Sequence, residues 1–213
     1  IDRRQRQMCI RDRAWPDPLA AGADLVTMST YKSLAGPPSG LVVTSDPELA
    51  ERVDTIAFPG LTANFDAGKT AALAITLADW LACGVEHAAT TIAAARALAA
   101  ALSEQGVAVV ATPDGFTASH ALAIDASASG GGTALASHLR RANLLASAIG
   151  LPSGLDDGLR VGVNELVRWG AGPGDMTEVA DVMARAIASP RPEELAPRVT
   201  SLRRRFDTIR FTA

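Results

Sequence analysis

Apolar and polar positions along this chain fall into segments of different period. WPDP (15–18) reads as a turn, and ADLVTMS (23–29) is a short apolar run bounded by turn residues, the pattern of a buried strand. A Gly/Pro loop, KSLAGPPSG, separates it from a second strand-like run, LVVTS. DPELAERVD begins with Asp46 as a helix cap and Pro47 at the first helical position, so a short helix is predicted up to the break at FPG, 58–60. Residues 67–81 and 86–105 carry helical apolar spacing. Gly84 lies between them and Gly106 closes the second, which reads as two helices or one long bent element. Beyond Gly106 the period changes. VAVVAT, HALAIDA and LRVGV are strand-like, the glycines at 130–132 mark a turn, and helices are predicted over 133–148 and 175–189. From Pro190 the chain is rich in Pro and Arg, with SLRRRF predicted as a short surface helix.

Strands that alternate with helices in the last hundred residues predict an α/β domain. Residues 14–82 read as the end of a larger domain with its connecting helix, 83–189 as a small α/β domain and 190–213 as a tail. Residues 1–13, IDRRQRQMCIRDR, are basic and without period, and QMCIRDR resembles translated sequencing-adapter read-through. This segment is therefore set aside as foreign or disordered; the alternative is a natural basic arm for a polyanion.

Composition narrows the functional classes. Of the 213 residues 48% are hydrophobic but only 4% aromatic, the excess being alanine, which favours helices in close contact over an aromatic-lined barrel. A formal charge of −3 gives no global attraction for nucleic acid or an anionic membrane, so neither is an expected partner. Cys9 and Cys83 have no metal-ligand spacing and no neighbouring histidine, which points to no metal site, no disulfide framework and a cytoplasmic setting. Without a run of eighteen apolar residues or a signal-peptide pattern, neither a membrane span nor export is predicted.

Of the 20 Lys and Arg residues, only Lys32 and Lys69 are lysine. A position that keeps lysine against such a background suits a task a guanidinium cannot perform, the attack of a primary amine on a carbonyl. Lys32 follows a strand end in a loop with Ser29, Thr30 and Ser33, whose hydroxyls and N–H groups could hold a phosphate. On composition alone, a Schiff-base lysine and a solvated turn lysine stand level. Lys69 in ANFDAGKTAAL lacks the first glycine of a phosphate-binding loop, which would fall at Ala63, and reads as a lysine in the first turns of a solvated helix.

ADLVTMSTYKSLAGPPSG resembles the segment around the cofactor lysine of the serine hydroxymethyltransferase family, ADVVTTTTHKTLRGPRGG. Three further segments follow in that family's order: FPG resembles the start of FPGxQGGP, TASHALAIDA resembles TDNHLxLVDL, and GLRVGVNELVRWG resembles GIRxGTPAxTxRG. The match spans about residues 15–188. It implies the C-terminal part of a pyridoxal-phosphate enzyme of the aspartate aminotransferase fold: the end of the large domain and the small C-terminal domain.

The resemblance implies roles residue by residue. Lys32 would join the cofactor aldehyde, with Ser29 and Thr30 beside it, and Arg160 would bind the carboxylate of a small amino-acid substrate of the serine or glycine type. Arg168 matches the family's second arginine and would support the site. His120 matches a histidine read as structural, while His87 and His138 have no counterpart and are predicted on solvated helical faces. The implied reaction makes or breaks the Cα–Cβ bond of a β-hydroxy amino acid in a homodimer or larger assembly. A serine/glycine hydroxymethyltransferase-like enzyme is the first reading, with tetrahydrofolate as acceptor left open; a folate-independent aldolase or transaldolase, or an inactive fragment serving as an interaction module, are the alternatives.

Departures cluster at expected contacts. Tyr31 stands where the family has histidine, Pro38 and Ser39 where it has Arg-Gly, and Val163 replaces a threonine. TAN at 62–64 replaces QGG, whose backbone approaches the phosphate of the neighbouring subunit, so that Thr62 or Asn64 would donate there instead. The family's aspartate for the pyridine nitrogen and its ring-stacking aromatic lie upstream of the matched stretch. The chain as it stands is therefore expected to be inactive alone.

Overall fold

Two short apolar runs pair first. The computed structural model describes residues 17–113, 115–151 and 157–213, so the foreign-segment reading of 1–13 lies outside the described residues. Strands β1 (Val26–Ser29) and β2 (Gly40–Val43) form an antiparallel hairpin, with Val26 opposite Val43 and Ser29 opposite Gly40. Helix α1 (Pro47–Thr55) starts as the sequence predicts, the Asp46 carboxylate accepting the N–H groups of Glu48 and Leu49 at 2.8 and 3.1 Å. A wide helical turn, Ile56–Leu61, follows, interrupted by extended backbone at Phe58.

Helix α2 (Ala67–Glu104) has 38 residues, about 57 Å at 1.5 Å per residue. Asp66 starts it, accepting the Lys69 N–H at 2.9 Å and pairing with the Lys69 ammonium at 3.4 Å. That N–H, above all, holds the Asp66 carboxyl below its ordinary range. Of the two arrangements left open over 67–105, the single element is found, and Gly84 lies inside it. A helical glycine costs about 1 kcal/mol against alanine and does not by itself end a helix.

The described residues divide into two compact units, 17–85 with 211–213, and 86–210. In the second, β3 (Ala121–Asp125), β4 (Ser147–Ile149) and β5 (Gly158–Gly162) make an antiparallel sheet in the order β3-β5-β4. VAVVAT forms isolated bridges and no strand, Val109 to Ile124 beside β3 and Thr112 to Gly115. Helix α3 (Gly132–Arg141) packs against β4, β5 and α5 (Met176–Ala188). Leu98 and Leu102 of α2, Ile124, Leu159, Met176 and Val182 are fully buried in this unit.

Three expectations change here. The helix predicted over 133–148 stops at Arg141, and residues 147–149 are strand β4. A short helix, α4 (Asn164–Arg168), was not anticipated. The terminal helix α6 (Ala196–Arg204) buries Val199 and Leu202, with Phe206 beyond it also buried, so its apolar side belongs to the core. No helix among the described residues is long and apolar enough to cross a membrane.

Candidate active site

Strand β1 ends at Ser29 and hands the chain to Thr30, which is fully buried. Its hydroxyl donates to the carbonyl of Ser39 at 2.9 Å and also approaches that of Pro37, while its N–H donates to the same Ser39 carbonyl at 3.0 Å. Its own carbonyl accepts the Gly36 N–H at 2.8 Å. One threonine thus ties both sides of the loop together. Ser33 is buried as well, whereas Tyr31 and Lys32 face solvent. The Lys32 ammonium stands 5.6 Å from the centre of the Tyr31 ring, within cation–π range.

The loop is seated on α2. The Trp80 indole N–H donates to the Leu34 carbonyl at 2.8 Å. A Cβ built on Gly36 would stand 3.0 Å from the Thr30 carbonyl oxygen and 3.3 Å from the Thr76 side chain, so the glycine permits the close seating. Neither Thr76 nor Trp80 was singled out from sequence. The signal was present: Thr76, Asp79, Trp80 and Cys83 recur at helical spacing in a helix otherwise rich in Ala and Leu.

Thr62 and Asn64 lie in the exposed stretch after the wide turn. Thr62 donates both its hydroxyl and its N–H to the Ala57 carbonyl, at 2.6 and 2.9 Å, and Asn64 faces solvent. The structure thus gathers Ser29, Thr30 and Lys32 into one hairpin and sets Thr62 and Asn64 in another segment of the same unit.

Arg160 and Arg168 belong to the second unit. Arg160 occupies the middle of β5 opposite the small cross-strand neighbours Ala123 and Ser147, and is half-buried. On either side of it in β5, Leu159 and Val161 turn into the core. Arg168 ends α4, its carbonyl accepting the Arg210 N–H at 2.8 Å. His87, predicted on a solvated face, is buried at 2% exposure. Burial first, and the Arg168 charge second, push its pKa down to about 4. The reason is its place on the inward side of α2, with Ala88 and Thr91 also buried. His138 is half-buried and hydrogen-bonds through Nε2 to the Ala186 carbonyl at 2.9 Å. His120 is buried ahead of β3, its carbonyl accepting the Val163 N–H.

Comparisons with known proteins add to this geometry. The family model described as serine hydroxymethyltransferase matches residues 9–183. The α-methylserine aldolase of a Ralstonia species is 48% identical over 207 residues, covering 95% of this chain and 47% of that protein. The serine hydroxymethyltransferase of Korarchaeum cryptofilum is 37% identical over 211 residues, covering 95% of this chain and 49% of its own length. Among solved structures, L-threonine transaldolase from Pseudomonas fluorescens in its internal aldimine state superposes with a TM-score of 0.83. It is 24% identical, with 96% of this chain and 48% of that one covered. The chain spans about half the length of the relatives it matches.

Proposed function

The chain belongs to the serine hydroxymethyltransferase family, and from that premise we propose that its parent protein is a pyridoxal-phosphate enzyme. It makes or breaks the Cα–Cβ bond of a small β-hydroxy amino acid without needing folate. The observation that carries this reading is the reachable amine of Lys32 on a loop whose backbone is internally bonded. The residues present suit the group, since a primary amine on a fixed loop can capture an aldehyde repeatedly in one place.

When bound, pyridoxal phosphate supplies the aldehyde and a ring that accepts the electron pair of a cleaved Cα bond. Lys32 would hold it through its primary amine. Thr30 spends its hydroxyl proton inside the loop, so it shapes the site, while Ser29 is the candidate donor to the phosphate. Arg160 offers a planar pair of donors to the substrate carboxylate, which fixes the bond at Cα to be broken. Arg168, beside buried His87, keeps a supporting role. Thr62 and Asn64 are candidate phosphate contacts from a second copy of the chain.

The absence of a folate requirement is supported by the four α-methylserine aldolases, 48–51% identical to this chain, against 35–37% for the serine hydroxymethyltransferases. The family model and those latter relatives favour a second reading, transfer of the hydroxymethyl group to tetrahydrofolate.

Two measurements test the proposal. Borohydride treatment of the full-length protein with pyridoxal phosphate should add the cofactor mass to the Lys32 peptide and leave Lys32→Ala unmodified; no adduct in wild type sinks the enzyme reading. Incubation with α-methylserine or serine should release formaldehyde at the same rate with and without tetrahydrofolate. A strict folate requirement transfers the case to the second reading.

A further inference from the structure

The peptide unit between Leu34 and Ala35 makes two hydrogen bonds in opposite directions. Its carbonyl, that of Leu34, accepts the Trp80 indole N–H at 2.8 Å, and its N–H, that of Ala35, donates to the Lys32 carbonyl at 2.9 Å. A peptide group is planar, so the two bonds share one rigid plate and cannot be adjusted separately. Hydrogen bonds in line through such a group also polarise each other. Ala35 has φ +57°, a left-handed conformation that is unfavourable for alanine and persists only where its surroundings demand it. We propose that Trp80 is a positioning residue for Lys32, acting through the Leu34–Ala35 peptide.

The rest of that helix face fits the assignment. Thr76, one turn earlier, abuts Gly36 of the same loop. Asp79 is buried and accepts the Ala213 N–H at 2.8 Å, and the Cys83 thiol approaches the Thr212 carbonyl at 3.6 Å. Residues 76–83 of α2 therefore present a hydrogen-bonding strip in a largely aliphatic helix. Within it Trp80 reaches the lysine loop, and Asp79 and Cys83 hold 211–213 beside it. The anchor matters chemically because Lys32 itself is exposed: the backbone below it must fix where the amine begins.

The inference deepens the cofactor reading but is testable apart from it. Trp80→Phe keeps an aromatic ring and removes the donor together with the five-membered ring that carries it. In cofactor-free protein, amide hydrogen exchange at Ala35 and Gly36 should quicken roughly five- to tenfold, the loss of about one net hydrogen bond, with α2 and 86–210 unchanged. Ala35→Gly, which accepts the left-handed backbone, should leave exchange at Gly36 at its wild-type rate. With pyridoxal phosphate and borohydride, Trp80→Phe should modify Lys32 more slowly than wild type. Loop exchange that is unchanged in Trp80→Phe, or that rises equally throughout 17–85, overturns the assignment. If wild type forms no Lys32 adduct, the cofactor reading fails while the exchange result still decides the positioning role.

Discussion

His87 is a residue whose chemistry follows from where its helix puts it. Held neutral by burial and by the Arg168 charge, with a pKa of about 4 against an ordinary 6.5, it binds a proton more readily in the unfolded chain than in the folded one. Its contribution to stability is complete above pH 6.5 and is lost as the pH falls through 4. Two and a half units bound the loss at about 3 kcal/mol. Urea unfolding of the 86–210 unit should therefore weaken between pH 7 and pH 4, and His87→Gln should weaken less over that interval; parallel pH curves for the two proteins would refute the account. His87 was misplaced from sequence because its neighbours one turn away on α2, Cys83, Gly84, Thr90 and Thr91, are small and of mixed polarity, and a pattern without contrast does not say which face turns inward. Lys32, by contrast, was legible as a candidate because lysine is scarce here. Trp80 was legible only as one member of a polar strip on α2, since no local pattern names the carbonyl that a helical indole will reach 46 positions away.

At the scale of elements, α3 and β5 meet at a junction that two glycines keep close. A Cβ on Gly132 would collide with the Gly158 carbonyl oxygen, and one on Gly158 would stand 2.5 Å from Leu151 Cδ2 and 2.9 Å from the Ile149 carbonyl oxygen. Since backbone cannot yield as a flexible side chain does, Gly132→Ala should destabilise the unit by roughly 1–3 kcal/mol, in spite of alanine's better helix propensity. Gly174→Ala, with open space around its Cβ, is the control and should change the melting midpoint little. Equal midpoints for Gly132→Ala and wild type would disprove the tight junction. The same region shows where sequence patterning stops. ANLLASAIG has spacing compatible with a helix or an edge strand, and the choice is made by Asn143, whose φ of +63° ends α3 and frees 147–149 to pair with β5. Capped or glycine-bounded elements such as α1 were readable because Asp46 and Pro47 act locally.

At the scale of the whole molecule, the two units bury different kinds of residue. The apolar core runs from Ala88 onward, whereas Thr30, Ser33, Thr76 and Asp79 are the buried residues of 17–85 with 211–213, apart from glycine, among those described. That unit leaves Leu61 80% exposed, Leu81 78%, Phe65 69% and Ile75 67%. Single exposed apolar residues are ordinary, but this many large ones on one small unit favour cover by further protein, either the remainder of the parent protein or a second copy of the chain. A second copy of the chain is the partner that also suits Thr62 and Asn64, which lie next to Leu61 and Phe65 in the same exposed segment. Sedimentation should accordingly show a dimer or larger species whose dissociation constant rises at least tenfold in Leu81→Asp, about 1.4 kcal/mol or more of interface free energy. Because Leu81 is already exposed, an aspartate there should leave unfolding of the 86–210 unit as in wild type, separating lost association from lost folding. A wild-type protein that sediments as a monomer throughout the micromolar range would remove the second copy from the proposed site, and with it the phosphate contacts assigned to Thr62 and Asn64.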